Sequence, residues 1–63
     1  MNLAFASLMI SVDSSVKSFS RSVGGLSVTL HKGKDLSPVT VRNLPNCQIH
    51  RGEEDTLFIS FND

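Results

Sequence analysis

Apolar residues recur at spacings of three and four from Phe5 through Leu8, Val12, Val16 and Phe19 to Val23. Serines keep the same rhythm on another face, at Ser7, Ser11, Ser14, Ser18 and Ser22. Two interleaved periods near 3.6 predict one amphipathic helix over residues 2–23. Asn2 can cap its start, and Gly24 stands where a helix commonly ends in a left-handed residue. Serine and the β-branched Val12, Val16 and Val23 are weak helix formers, so packing has to hold such a helix together. A rival pattern breaks the stretch into strands 3–12 and 16–23 with a turn at 13–15, and leads to a small all-β barrel. It makes Arg21 share a face with Phe19 and Val23 and leaves the serine period unexplained, so the helix is preferred.

After Gly25 the period changes to two. Leu26, Val28 and Leu30 alternate with Ser27, Thr29 and His31, the pattern of a half-buried strand over residues 26–31. Lys32-Gly33-Lys34-Asp35 then has the composition of a hairpin turn. Val39 and Val41 predict a second strand over 38–43, with Pro38 placing it at an edge. Cys47 and Ile49 predict a third over 47–50, broken by Gly52-Glu53-Glu54-Asp55. Leu57, Ile59 and Phe61 face inward on a fourth over 56–61, which turns Phe58 to the opposite face. The expected fold is α+β: one N-terminal amphipathic helix packed on a four-stranded antiparallel meander, in a single small domain covering residues 1–63.

A helix over residues 2–23 would be about 30 Å long, whereas strands of five or six residues span about 17–20 Å. Such a helix overhangs its sheet. Its first half is apolar nearly all round, since Leu3, Ala4, Ala6, Met9 and Ile10 flank the main stripe, and helices of that kind are normally buried on more than one side. Residues 3–10 are therefore expected to meet a second subunit or a target protein.

Length sharpens that expectation. A chain of 63 residues buries only about 60% of the surface its unfolded form exposes, and chains this short usually add disulfides, a metal or a second subunit. Cys47 is the sole cysteine, so no intramolecular disulfide can form, and a lone thiol suits the cytoplasm. No Lys or Arg precedes the apolar run of residues 3–10, as the charged start of a signal peptide requires. Asp13 and the serines cut the run short of the roughly 20 residues a membrane span needs. Six Lys and Arg balance six Asp and Glu, so the basic excess of a typical nucleic-acid binder is missing.

Candidate chemistry is sparse. Leu30-His31-Lys32-Gly33 before Asp35 resembles Ile49-His50-Arg51-Gly52 before Glu53, Glu54 and Asp55. In a meander these two turns share one end of the sheet, where each would present a histidine, a base and an acid. Charged, glycine-containing turns are also what any hairpin requires. Cys47, His50 and His31 are one ligand short of a structural zinc site, and residues three apart on a strand face opposite ways. A nucleophilic role for Cys47 with His31 or His50 has no supporting local motif. Glu53-Glu54-Asp55 reads as a solvated turn rather than a carboxylate pair. Lys17, Arg21, Lys32, Lys34, Arg42 and Arg51 are scattered, and without Tyr or Trp only Phe58 could stack a base. Gly24-Gly25 follows the predicted helix, so it cannot form the glycine-rich phosphate loop that opens one.

The sequence therefore points to a non-enzymatic protein–protein interaction module with no metal, no cofactor and no membrane segment. A chain this small is expected to be a phage or mobile-element accessory protein that inhibits or modulates a larger host protein. A homodimer is the other partner considered, and nucleic-acid binding through the basic turns is the alternative function. The residues expected to meet the partner are Leu3, Phe5, Leu8, Met9, His31, Lys32, Lys34, His50, Arg51 and Phe58.

Overall fold

A computed structural model describes residues 3–44 and 46–61. Helix α1 (Leu3–Ser11) leads into the hairpin β1 (Val16–Ser22) and β2 (Gly25–Leu30). Helix α2 (Pro38–Asn43) leads into the hairpin β3 (Cys47–Arg51) and β4 (Thr56–Phe61). The strands form one antiparallel sheet in the order β1-β2-β4-β3. The fold is the expected α+β arrangement of an N-terminal helix packed on a four-stranded antiparallel sheet. The sheet is open, so the barrel alternative does not hold.

Three details of the expected layout are corrected. First, the helix ends at Ser11, not at residue 23. The Asp13 amide donates to the Ile10 carbonyl (3.2 Å), and the Asp13 carboxylate accepts the Ser15 amide (2.9 Å), an Asx turn that reverses the chain. The helical spacing beyond it has another cause. Val16 lies opposite Leu30 and Phe19 opposite Val28, with a bulge between Val16 and Ser18. One extra residue lets two side chains three apart face the same side of a sheet. Arg21, opposite Leu26, does share that inner side with Phe19. Val23 is 98% exposed in the turn, where Gly24 takes φ +81°.

Second, residues 38–43 are helix rather than strand. Ser37 caps α2 by accepting the Val39 amide (3.2 Å), and Pro38 sits in the first turn, where its missing N–H costs no hydrogen bond. Thr40 is buried, while Val39 and Val41 are exposed, the reverse of the faces a strand would give them. Third, the order is not that of a simple meander, since β2 and β4 lie side by side at the centre and the strands 16–22 and 47–51 form the edges.

The core sits between the helices and the inner face of the sheet. It joins Ala6 and Ile10 of α1 to Leu26, Val28, Leu30, Leu57 and Ile59 of the central strands, with Leu36 and Leu44 flanking α2. Gly25 allows the closest backbone approach, because a Cβ there would overlap the Ile59 carbonyl. The chain repeats an αββ unit. Leu26 lies opposite Ile59 and Val28 opposite Leu57, so a two-fold rotation between β2 and β4 carries Leu26 onto Leu57 and Val28 onto Ile59. The same operation relates the pair Phe19–Val28 to Ile49–Ile59, and Arg21–Leu26 to Arg51–Leu57.

Candidate interaction surfaces

Helix α1 carries no charged residue. Its i, i+4 pair Ala6 and Ile10 is fully buried, and Leu3 packs against the core. On the other side Phe5, Leu8 and Val12 follow at intervals of three and four with 48%, 60% and 69% of their surface exposed. Met9 and Ser7 are half-buried between the two faces. A helix turns about 100° per residue, so a stripe of this spacing forms one continuous apolar strip along the outside. Helix α2, which touches α1, adds exposed Val39 and Val41. Water therefore meets a helical layer that exposes five large apolar side chains beside Arg42 and Asn43 of α2.

The α1–β1 corner is held by one carboxylate. Asp13 is buried and accepts the amides of Ser15 and Ser37, each at 2.9 Å. Burial raises its pKa, but these two amides together with the hydroxyls of Thr40 and Ser15 outweigh that and hold it below the usual aspartate value. The charge ties the exit of α1 to the N-cap of α2, so the two helices keep a fixed relation to each other.

The sheet face away from the helices is different in character. It presents Ser18, Ser20 and Ser22 from β1, Ser27 and Thr29 from β2, Thr56, Phe58 and Ser60 from β4, and Gln48 and His50 from β3, with no charge among them. Where the first αββ unit has the cross-strand pair Ser20–Ser27, the second has His50–Phe58. The two rings lie 6.2 Å apart at a tilt of 32°, and His50 Nε2 shares a hydrogen with Ser60 Oγ at 3.0 Å. They border a shallow depression of about 320 Å³ that Ser27, Thr29 and Thr56 also line.

The two turns singled out from the sequence meet at one end of the sheet, although only the β3–β4 turn belongs to a hairpin. The Gly33 amide donates to Asp55 Oδ1 (3.4 Å), and Arg51 donates to Asp35 Oδ1 (3.0 Å). The Arg51 guanidinium, with the Leu36 amide, holds Asp35 below the usual carboxylate range. Arg51 is thereby engaged, while Lys32, Lys34 and His31 are exposed in the loop after β2. Of the residues expected to meet a partner, Phe5 and Leu8 stand on the outer strip of α1, and Leu3 is turned toward the core. His50 and Phe58 share the open sheet face.

Three exposed residues of the helical layer run against the sequence pattern, which puts Val12 in the apolar stripe of a longer helix and Val39 and Val41 on the inner face of a strand. The pair Ser37–Pro38, a helix-start signature, could have corrected the last two.

Cys47 and His50 face opposite sides of β3, and burial pushes the Cys47 thiol up from its usual pKa, against thiolate chemistry at neutral pH. Among the described residues no three His, Cys, Asp or Glu side chains come together, and no helix is long and apolar enough to cross a membrane. No protein-family model, curated protein or solved structure matches the chain.

Proposed function

We propose that the chain is a non-enzymatic protein-interaction module that docks the outer strip of α1 into an apolar groove on a larger protein. The observation that carries this is the charge-free helix whose Phe5 and Leu8, with Val12 in the turn directly after it, face water while Ala6 and Ile10 already fill its own core. Anchors at i, i+3 and i+7 are the pattern by which an amphipathic helix enters a groove, and Val39 and Val41 on α2 extend the same apolar layer. Modulation of a host protein by a phage or mobile-element accessory factor in the cytoplasm is the biological setting proposed. The lone thiol of Cys47 supports the cytoplasmic part of that setting.

Capture of partners on immobilised protein tests the reading, with Leu8→Asp as the disrupting variant and Lys32→Glu with Lys34→Glu as the control. Leu8 is exposed, so Leu8→Asp is expected to keep its circular-dichroism spectrum and lose the partner, while the control keeps it. Retention of the partner by folded Leu8→Asp would remove α1 from the contact. Nucleic-acid binding by the basic turns is less well supported, since Asp35 neutralises Arg51 and Asp55 reaches back to Gly33 at the same end of the sheet.

A further inference from the structure

The two edges of the sheet are not guarded alike. An edge strand offers unpaired N–H and C=O groups to any other strand, and proteins blunt such edges with bulges, lysines and inward-pointing charges. Strand β1 has all of these: the bulge between Val16 and Ser18, Lys17 within it, and Arg21 on the inner side. Strand β3 pairs with β4 in unbroken register from Cys47 to Arg51, and Arg51 at its end carries its only charge.

The direction of the β3 backbone groups follows from one bond. Gly52 donates to the Thr56 carbonyl at 3.0 Å. Hydrogen-bonded residues alternate along an antiparallel pair, so His50 and Gln48 also turn their backbone groups to β4. Cys47, Ile49 and Arg51 turn theirs out to the free edge, and among the described residues nothing pairs with them. Cys47 and Ile49 are also only half-buried on the inner face, as is Phe61 beside them.

We infer that β3 is the site where a second copy of this chain pairs, strand to strand and antiparallel, about a two-fold axis through Ile49. The free groups are self-complementary in that register. Ile49 exchanges two N–H···O=C bonds with Ile49 of the other copy, and Cys47 of each copy does so with Arg51 of the other. On the open sheet face Gln48 stands opposite His50, two hydrogen-bonding side chains. No like charges meet. The corresponding pairing of β1 with itself, about Phe19, would set Lys17 of each copy opposite Arg21 of the other, and like charges directly opposite destabilise a sheet. Charge therefore selects β3 over β1 for closed pairing. Helix α1 packs at β1, on the far side of the sheet from β3, so the dimer is an eight-stranded sheet carrying an α1 strip near each outer edge. It goes beyond the proposed helix docking, which uses a different surface and is tested independently.

Light-scattering mass across a concentration series provides the test. The mass is expected to rise from the monomer value of 6.9 kDa toward a plateau at twice that figure. Gln48→Lys with His50→Lys places like charges opposite across the axis, as does Gln48→Glu with His50→Glu. Both positions are exposed, so folding is retained, as a thermal melt will verify. Each variant alone is expected to dimerise at least ten-fold more weakly, and an equimolar mixture of the two to recover the dimer as a heterodimer. The Ile49 amide is expected to exchange its hydrogen more slowly as protein concentration rises. A wild-type mass that stays at the monomer value to millimolar concentration would overturn the inference, and so would charged variants that each self-associate like the wild type. A mass that climbs without a plateau would mean head-to-tail stacking of β3 on β1 and would likewise overturn it.

Discussion

Replacing Asp13 tests whether one buried carboxylate holds the two helices in register. Its two oxygens accept the amides of Ser15 and Ser37 at 2.9 Å each, and the second bond joins segments 24 residues apart. A hydrogen bond to a charged group contributes about 1.5–3 kcal/mol, and a buried donor left without a partner costs about 1–3 kcal/mol. Asp13→Ala removes both acceptors at once. Relaxation of the loop will let water reach part of the gap, so the expected loss is about 3 kcal/mol. At roughly 0.05–0.15 kcal/mol per residue a domain of this length holds only about 3–9 kcal/mol in total, so the substitution removes a large share of it. Asp13→Asn keeps one oxygen for one amide and turns an NH₂ toward the other, which places its loss near half of that for Asp13→Ala. Urea unfolding followed by circular dichroism measures both, and the slope with denaturant should stay constant while the midpoint falls. An Asp13→Ala midpoint equal to the wild type would refute the reasoning.

The same group sets a pH dependence whose sign is fixed. Burial raises the Asp13 pKa, but the amides of Ser37 and Ser15 and the hydroxyls of Thr40 and Ser15 bring it below the ordinary value of 3.8. A carboxylate with a lowered folded pKa contributes stability above its unfolded pKa and loses it as pH falls through the folded value. Stability is therefore expected to drop on acidification below about pH 4, less steeply in Asp13→Asn. Asp35, lowered by Arg51 and the Leu36 amide, acts in the same window, so Asp35→Asn calibrates its share.

Gly25→Ala should cost about 2 kcal/mol or more, because its new Cβ overlaps the Ile59 backbone carbonyl and the two central strands cannot separate without losing their ladder. A melt within a degree of the wild type would show that the strands can shift. Cys47 should react with iodoacetamide more slowly than a free thiol at neutral pH, with the rate profile displaced to higher pH by its burial. A profile matching that of free cysteine would show the thiol open to solvent.

Much of the sheet was legible, because alternation reports a half-buried strand wherever one face meets a core. Leu26–Val28–Leu30 and Leu57–Ile59–Phe61 show it plainly. The edge strand β1 was hidden by its own bulge. Val16 and Phe19 are three apart, the spacing of a helical turn, and only the pairing of Val16 with Leu30 and Phe19 with Val28 reveals that an extra residue sits between them. The serine rhythm continued by coincidence. Ser7 and Ser11 lie along a helix, whereas Ser18 and Ser22 share the open face of a strand. Residues 38–43 failed for a different reason: two valines two apart suggest a strand, but Ser37 and Pro38 supply a cap and a first-turn residue that decide the backbone before the valines can. For the candidate site, the apolar excess of residues 3–10 was readable from composition, but the split of α1 into a buried pair and an exposed strip depends on where the sheet lies.

The repeated αββ unit gives the differences between its halves a meaning that neither half has alone. Both units place an arginine opposite a leucine on the inner side of an edge strand, Arg21 with Leu26 and Arg51 with Leu57. In the first unit this charge joins a bulge and Lys17 to close the edge against pairing. In the second, Asp35 takes up the arginine and the rest of the strand is neutral. The helices differ in the same way: α1 exposes a long apolar strip over the guarded edge, while α2 is a short capped helix. The proposed self-pairing and the proposed docking thus use opposite edges of one small sheet. A dimer formed through β3 leaves both α1 strips free, and two linked strips bind a partner with repeated grooves more tightly than either alone, provided the spacing matches. Dilution below the dimerisation range should then weaken capture of such a partner, whereas a single-groove partner should bind equally well at either concentration.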